Sequence, residues 1–462
     1  MSIYLVQKVT LVYISFVKKI YIESLGCAKN QVDSEILLSY ADDEGFERTQ
    51  VPQDADIIVV NTCGFIESAK TESINTFFSF RSAFPEKKII FAGCLAQRYW
   101  GILDLDEADA IFGNHDLGAF PKVLKGLEKG NKQIVLAPEY PDPDSERDER
   151  KYNLSFPRSA FLKISEGCNH RCNYCAIPII RGGLRSRPFD AVMNEARRLV
   201  KSGIYEINII AQDLGAYGTD WGEGERFCDL IESLSKIEGA FVLRMLYIHP
   251  DTFPEKLIDI VKASNGKILP YFDIPFQHAD HKVLLGMKRT GSREIYVDLI
   301  KKIRASLPDA VIRSTLMLGF PGEGREEFEE LLRFVKEAQL DWMGSFLYSR
   351  EEDTPAYLMR NQKEHNKAHK IAAKWQEELE AIQSEITSKR LLSFVGKKYL
   401  ALVEENIEGE DLSIARIYSQ APEVDGATVI MGSDMKPGDV VEVGIRSVRG
   451  LDLEAIKIRN VL

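Results

Sequence analysis

Residues 161–175 read FLKISEGCNHRCNYC. The apolar opening reads as a strand, and it runs through a glycine into Cys168, Cys172 and Cys175, spaced C-x-x-x-C-x-x-C. A 4Fe–4S cluster normally takes four cysteine thiolates, one per iron. A close triplet holds three irons and leaves the fourth open. An open iron can chelate the amino and carboxylate groups of a small molecule, which makes the cluster a reagent rather than a wire. The competing reading is a structural zinc knuckle with His170 as fourth ligand, although such knuckles usually pair C-x-x-C with a second close pair of Cys or His.

Downstream, the strand candidates YEINIIAQD, FVLRMLYI, PYFDIPFQ, AVIRSTLMLGF and DWMGSFLYS alternate with helical stretches such as AVMNEARRLVKSG and REEFEELLRFVKEAQ. Together with the cysteine-bearing strand they make six β/α units, short of the closed (β/α)8 barrel. A partial, open (β/α)6 barrel is predicted over residues 154–390. Its last part, a polar helix from about residue 363 to 389, reads as a connector.

Upstream, KKIYIESLGC, ADIIVVNTC and EKKIIFAGC each run into a helical stretch, and a further short strand, ADAIFGN, follows. Such alternation indicates a parallel α/β domain covered on both faces, over residues 19–130. Residues 131–153, rich in Pro and charge, read as an exposed linker. Cys27, Cys63 and Cys94 occupy one structural position in the first domain: each follows a strand and precedes a helix. In a parallel sheet all strand C-termini share one edge, where ligands bind. Gly26, Gly64 and Gly93 flank the thiols and would let backbone approach a bulky inorganic body. These cysteines form a second three-ligand site, against the plainer reading of each as a small buried hydrophobe. Cys228, in RFCDLIESL, sits on a helical pattern and is assigned to core packing.

From residue 391 to 462 the pattern changes to short strands separated by Gly, Asp and Pro, the mark of a small antiparallel β-barrel. Such barrels often contact nucleic acid, but this one carries twelve acids against eight bases. That balance repels a polyanion and suits a basic protein. The whole chain, 462 residues with net charge −11, leans the same way, so nucleic-acid contact is not expected to dominate. Seven cysteines on a large chain, three of them clustered, do not make a secreted disulfide framework, and thiolates holding iron imply a reducing, cytoplasmic setting. Residues 1–18 are too polar for a confident membrane span and lack a signal-peptide cleavage site; they read as an extra edge strand or an upstream start. No membrane partner is expected.

The C-x-x-x-C-x-x-C triplet, with Tyr174 at the position of an aromatic that lies near the adenine, resembles the radical S-adenosylmethionine enzymes. The domain order resembles, more narrowly, their methylthiotransferase family over residues 19–462. YIESLGCAKNQVDSE, SEGCNHRCNYCAIPIIRGGLRSRP, AYGTD and APEVDG look most like the branch that modifies an aspartate of small-subunit ribosomal protein 12. AQDLGAY departs from that branch, which more often has Thr after the Asp.

The resemblance implies a terminal barrel of TRAM type, two 4Fe–4S clusters and S-adenosylmethionine as both methyl donor and radical source. The cluster on Cys168, Cys172 and Cys175 would pass an electron, received from a donor, to S-adenosylmethionine. The resulting 5′-deoxyadenosyl radical would take hydrogen from the aspartate β-carbon. The cluster on Cys27, Cys63 and Cys94 would present methylated sulfur. Tyr174, Gln212, Gly319 and Gly322 are expected at the cofactor, although GFPGE (residues 319–323) is equally well a plain turn. Arg181, Arg185 and Arg187 read as carboxylate partners or as solvated surface. His278 and His281 make a weak metal pair; His278 at the barrel mouth is the better reading. Two other functions compete: a tRNA-adenosine methylthiotransferase, and a non-catalytic iron–sulfur scaffold or electron carrier. The open triplets argue against the last, because electron carriers usually saturate each iron.

Overall fold

The computed structural model describes residues 17–102, 105–130, 134–141, 150–222, 224–432 and 434–462. Residues 1–16, expected as an edge strand or upstream start, lie outside the described residues, as do 131–133 and 142–149 of the expected linker.

Six parallel strands form the first sheet, in the order Glu47–Arg48, Lys19–Ser24, Ile57–Thr62, Lys88–Gly93, Ala110–Phe112, Ile134–Leu136. Ile57–Thr62, reading IIVVNT, is buried along its whole length, as a β-branched run covered on both faces must be. The strand order reverses beside Lys19–Ser24, and such a switch point opens a crevice beyond the strand C-termini.

The sheet reaches past the domain end expected near residue 130, because Ile134–Leu136 adds a sixth strand. Three residues with Val135 exposed carry too little periodicity to stand out in a polar stretch. The expected linker also does not end exposed. The side chain of Arg150 is only 7% exposed and pairs with Glu35 of the helix Ala28–Asp43 and with Glu195 of the helix Phe189–Lys201.

The core is an open (β/α)6 sheet of six parallel strands in chain order: Ser159–Lys163, Glu206–Ile210, Val242–Leu246, Ile268–Asp273, Val311–Leu318 and Trp342–Leu347. One face packs Ile207, Leu243, Phe272 and Ile312 against helix residues such as Val192, Ile231 and Phe328. The other presents Ile210, Leu246, Tyr271, Val311 and Trp342. These belong to a second apolar cluster that also holds Val32 and Leu37 of the first domain and Val403, Ala415 and Ile445 of the last. A closed eight-stranded barrel fills its interior with its own side chains. An open six-stranded one cannot, and here its neighbours fill it.

The helix Gln362–Leu392 starts at a capping box between Asn361 and Glu364. It is more than a connector: Trp375 stacks on Phe328 at 5.0 Å, and Gln383 donates to the Leu340 carbonyl at 2.9 Å. The last domain is a closed five-stranded barrel, in the order Lys398–Asn406, Leu412–Arg416, Thr428–Met431, Asp452–Asn460, Val440–Arg449. Every pairing is antiparallel except Thr428–Met431 with Asp452–Asn460. Among the described residues no helix is long and apolar enough to cross a membrane.

Buried charge seats this barrel on the core. Glu206 accepts hydrogen bonds from Arg416 at 2.6 Å and from Arg244 at 2.8 Å, and Arg416 also reaches Glu404. Burial alone would push the Glu206 carboxyl up; Arg416 and Arg244 outweigh it and hold the group far below its usual range. Trp342 donates to the Ser419 carbonyl, and Tyr271 to Asp425 of the APEVDG stretch, both at 2.6 Å. Arg416→Ala strips counter-charge from two buried carboxylates and is expected to destabilise the protein by about 3–5 kcal/mol. A urea unfolding midpoint equal to that of the unmodified protein would contradict this seating.

Candidate active site

Cys27 is the N-cap of the helix Ala28–Asp43, Cys63 directly follows Ile57–Thr62, and Cys94 opens the helix Cys94–Tyr99. The strands that deliver them are neighbours in the sheet, so the three cysteines are carried to one edge. A Cβ placed on Gly26, whose φ is +89°, would stand 2.8 Å from Cys63 Cβ and 3.1 Å from its Sγ. The thiols are also close enough to disfavour one another's ionisation. Burial first, and then Cys63 and Cys27, push Cys94 up to about 12, even with the Arg181 guanidinium beside it. Asn30 ties the edge together, donating to the carbonyls of Leu25 and Thr62, both at 2.9 Å.

The second triplet lies on the loop after the short strand Ser165–Glu166. The turn into Cys168 requires Gly167: its φ is +73°, and a Cβ there would be 2.0 Å from the Gly183 carbonyl oxygen. Asn173 pins the loop to its surroundings, donating from its backbone to Met287 O and from its side chain to Gly286 O, and accepting from Ala356 N. Burial pushes Cys168 up to about 11 and raises Cys172 and Cys175 as well. Thiols in such surroundings stay protonated until a soft metal displaces the proton. All six are free cysteines. Two triplets of soft sulfur donors suit iron–sulfur centres rather than hard cations.

A single metal ion fits less well. Among the described residues no three His, Cys, Asp or Glu side chains converge to hold one. His170 turns to Asp213 at 2.7 Å and stacks on His249 at 4.0 Å. His278 and His281 are likewise no metal pair: His278 meets Glu323 at 3.2 Å, and His281 meets the Gly291 carbonyl at 3.0 Å.

Of the expected cofactor residues, Tyr174 is held by Arg289, which donates to its hydroxyl at 3.1 Å. Its ring lies edge-on to Phe320 of GFPGE, 6.5 Å between centroids, so the cysteine loop and that turn are brought together. Gly319 has φ +81°; its N–H donates to the Glu323 carboxylate, and its carbonyl accepts from Arg360 at 2.9 Å. Gly322 faces open space. Gln212 donates to Glu166, while its buried Oε1 has no protein partner. A buried acceptor without a protein partner fits a bound polar group at this place.

A charged seam joins the two cysteine-bearing domains. Arg181 donates to Glu166 at 2.8 Å on its own side, and to Asn30 at 2.6 Å, Asp33 at 2.9 Å and Cys94 Sγ at 3.3 Å on the other. Lys163 bridges the same two carboxylates, at 3.0 Å to Asp33 and 2.9 Å to Glu166. Burial works to raise the Glu166 carboxyl, but Arg181 and Lys163 hold it well below the ordinary range. Arg181 and Arg187 are both buried, which removes the solvated-surface reading for them. Lys29, Asn30, Asp33, Lys163 and Glu166 escape a reading of the sequence for site residues. The available signal is polar residues at helix spacing on the buried face of Ala28–Asp43.

A model of "Uncharacterized protein family UPF0004" matches residues 19–113, one of the radical SAM superfamily residues 162–335, and one of the TRAM domain residues 395–458. The ribosomal protein uS12 methylthiotransferase RimO of Treponema denticola is 42% identical, covering 94% of this chain and 99% of the relative. The protein of that name from Aquifex aeolicus is also 42% identical, covering 94% and 96%. Among solved structures, the radical S-adenosylmethionine methyltransferase TsrM of Kitasatospora setae aligns over 74% of this chain and 77% of its own, with TM-score 0.55. At 13% identity that is a likeness of fold.

Fold and sequence together define a radical S-adenosylmethionine enzyme, a transferase that uses S-adenosylmethionine and iron–sulfur chemistry. Within that class, the chain belongs to the family of ribosomal protein uS12 methylthiotransferases RimO.

Gly26→Ala drives a Cβ into Cys63 and strains a left-handed backbone. It is expected to lower the iron bound per chain after anaerobic reconstitution. Iron analysis returning the full complement would contradict the placement of the first triplet.

Proposed function

We propose that this enzyme replaces a β-carbon hydrogen of an aspartate in ribosomal protein uS12 by a methylthio group, and that it carries two 4Fe–4S clusters to do so. One observation supports this above the rest. Two cysteine triplets, each one ligand short of a saturated cluster, stand on opposite sides of a seam crossed by Arg181. Cys168, Cys172 and Cys175 would hold one cluster and Cys27, Cys63 and Cys94 the other. When bound, these groups and S-adenosylmethionine supply the electron, the hydrogen-abstracting radical and the methylated sulfur.

The chain's own residues do the rest. Tyr174 packs against Phe320 where the cysteine loop meets the GFPGE turn, and with Gly319 and Gly322 it would hold the adenosine end of S-adenosylmethionine. Gln212 offers an unsatisfied acceptor beside Glu166. Packing the first domain over the concave face of the core keeps water from a radical that would otherwise attack its surroundings. The substrate is a protein of a nucleic-acid assembly and therefore basic in character; a chain of net charge −11 suits it electrostatically. The acidic terminal barrel speaks against the alternative of a tRNA adenosine as target. The reaction also needs an electron donor and takes place in the cytoplasm, on free uS12 or on the assembled ribosomal subunit.

The test is anaerobic turnover with S-adenosylmethionine and a reductant, followed by assay of 5′-deoxyadenosine and of mass gain on uS12, on ribosomal subunits and on tRNA. Gain on tRNA alone overturns the protein-substrate reading. Absence of deoxyadenosine leaves a non-catalytic iron–sulfur scaffold. Cys172→Ala is expected to abolish deoxyadenosine formation. Cys63→Ala is expected to keep deoxyadenosine formation while losing sulfur transfer; a variant that still attached sulfur would make the second cluster unnecessary.

A further inference from the structure

Lys29 is the second residue of the helix Ala28–Asp43, two positions after Cys27, and its side chain is only 8% exposed. Its Nζ lies 3.6 Å from the centroid of the Tyr247 ring. Lys29 therefore reaches from the first domain to the C-terminal end of a core strand, on the side of the sheet edge that carries Cys27.

An ammonium carries three donors, and a buried one is costly unless it is paired. Among the described residues the Lys29 ammonium makes no hydrogen bond and no ion pair. The nearby carboxylates are already engaged: Asp33 and Glu166 by Lys163 and Arg181, Asp273 by Arg313 at 3.1 Å. The thiol of Cys94 has its own cation in Arg181. Tyr247 is equally suggestive. It follows the strand Val242–Leu246 with φ +72°, a conformation bulky side chains rarely adopt, and it is in this posture that its ring meets the ammonium. A strained aromatic and an unpaired cation make a half-built anion site.

The geometry points to Lys29 as the group that receives the carboxylate of the substrate aspartate, an inference that rests on the proposed aspartate chemistry. The β-carbon of aspartate is bonded directly to its carboxyl carbon. Anchoring the carboxylate on Lys29 thus fixes the reacting carbon beside the Cys27 side of the cleft and leaves its hydrogen facing the core. The Tyr247 face orients the ammonium and shields it from water. Lys29 is then the residue that makes the enzyme choose an acidic side chain over its neutral isostere.

The experiment compares holoenzyme with Lys29→Met and Lys29→Arg, all reconstituted anaerobically and matched for iron, on uS12 and on uS12 with the target aspartate changed to asparagine. The unmodified enzyme is expected to prefer aspartate in kcat/KM by about 30-fold or more, and Lys29→Met to lose that preference to within about threefold. Lys29→Arg should retain most of it. A Lys29→Met enzyme with the original preference overturns the assignment, as does an arginine variant no more selective than methionine. If Lys29→Met fails to take up iron, equilibrium binding of the two uS12 forms to unmodified holoenzyme decides the matter, and equal affinities overturn the assignment. Should unmodified holoenzyme act on neither form, it is the functional reading that falls, taking this inference with it.

Discussion

Arg181 stands between the two cysteine triplets and is satisfied from both sides, by Glu166 on the core and by Asn30, Asp33 and Cys94 on the first domain. A guanidinium offers its donors in a fixed planar fork, so these partners are met together in one relative placement of the two sheets. Lys163 repeats the constraint from the core strand Ser159–Lys163. Arg150 does so through Glu35 of the helix Ala28–Asp43 and Glu195 of the helix Phe189–Lys201. An apolar interface tolerates sliding by a fraction of a side chain. Buried charges with several partners each do not, because any one left unpaired is penalised heavily. The network thus fixes how the two cysteine-bearing domains sit against each other.

The incomplete barrel explains why there is an interface to fix. Six strands leave an open concave face bearing Ile210, Leu246, Tyr271 and Trp342, and apolar surface of that kind has to be covered. The first domain and the terminal barrel cover it from different directions, and one apolar cluster runs through all three. Ionic contacts again give direction to the greasy ones: Arg416 and Arg244 on Glu206, and Tyr271 and Arg313 on Asp425. The APEVDG stretch is therefore part of how the barrel is seated on the core, not an isolated surface loop. Glu351 makes a similar clamp on the other flank, accepting from Arg98 at 2.7 Å and Lys70 at 3.0 Å of the first domain.

Much of this is legible in the chain because it is local. A continuous β-branched run such as IIVVNT declares a buried parallel strand, and three such strands ending in Cys27, Cys63 and Cys94 place the thiols on one edge by pattern alone. The C-x-x-x-C-x-x-C loop carries its chemistry in its spacing. What stays hidden depends on partners distant in sequence. Nothing near Lys163 shows that it will meet Asp33, and nothing near Glu206 announces Arg416. The helix Ala28–Asp43 buries Asn30, Asp33, Ser34 and Glu35 on a face where apolar residues would be expected, so its polar groups read as solvated until the core is laid against them. The strand Ile134–Leu136 is hidden for a different reason: at an edge, with few residues, pairing rather than sequence defines it.

The use of two sheets follows from geometry. One parallel sheet brings neighbouring strand ends about 4.8 Å apart, and three adjacent ends suffice to ligate one compact inorganic body. They cannot serve a second body without crowding the first. A second sheet supplies a second ligand-bearing edge, and turning the two edges toward each other encloses a space whose walls are fixed charges rather than water. Reaction between groups held in such a space becomes a question of proximity, which the protein settles in advance when Arg181 and Lys163 close the seam.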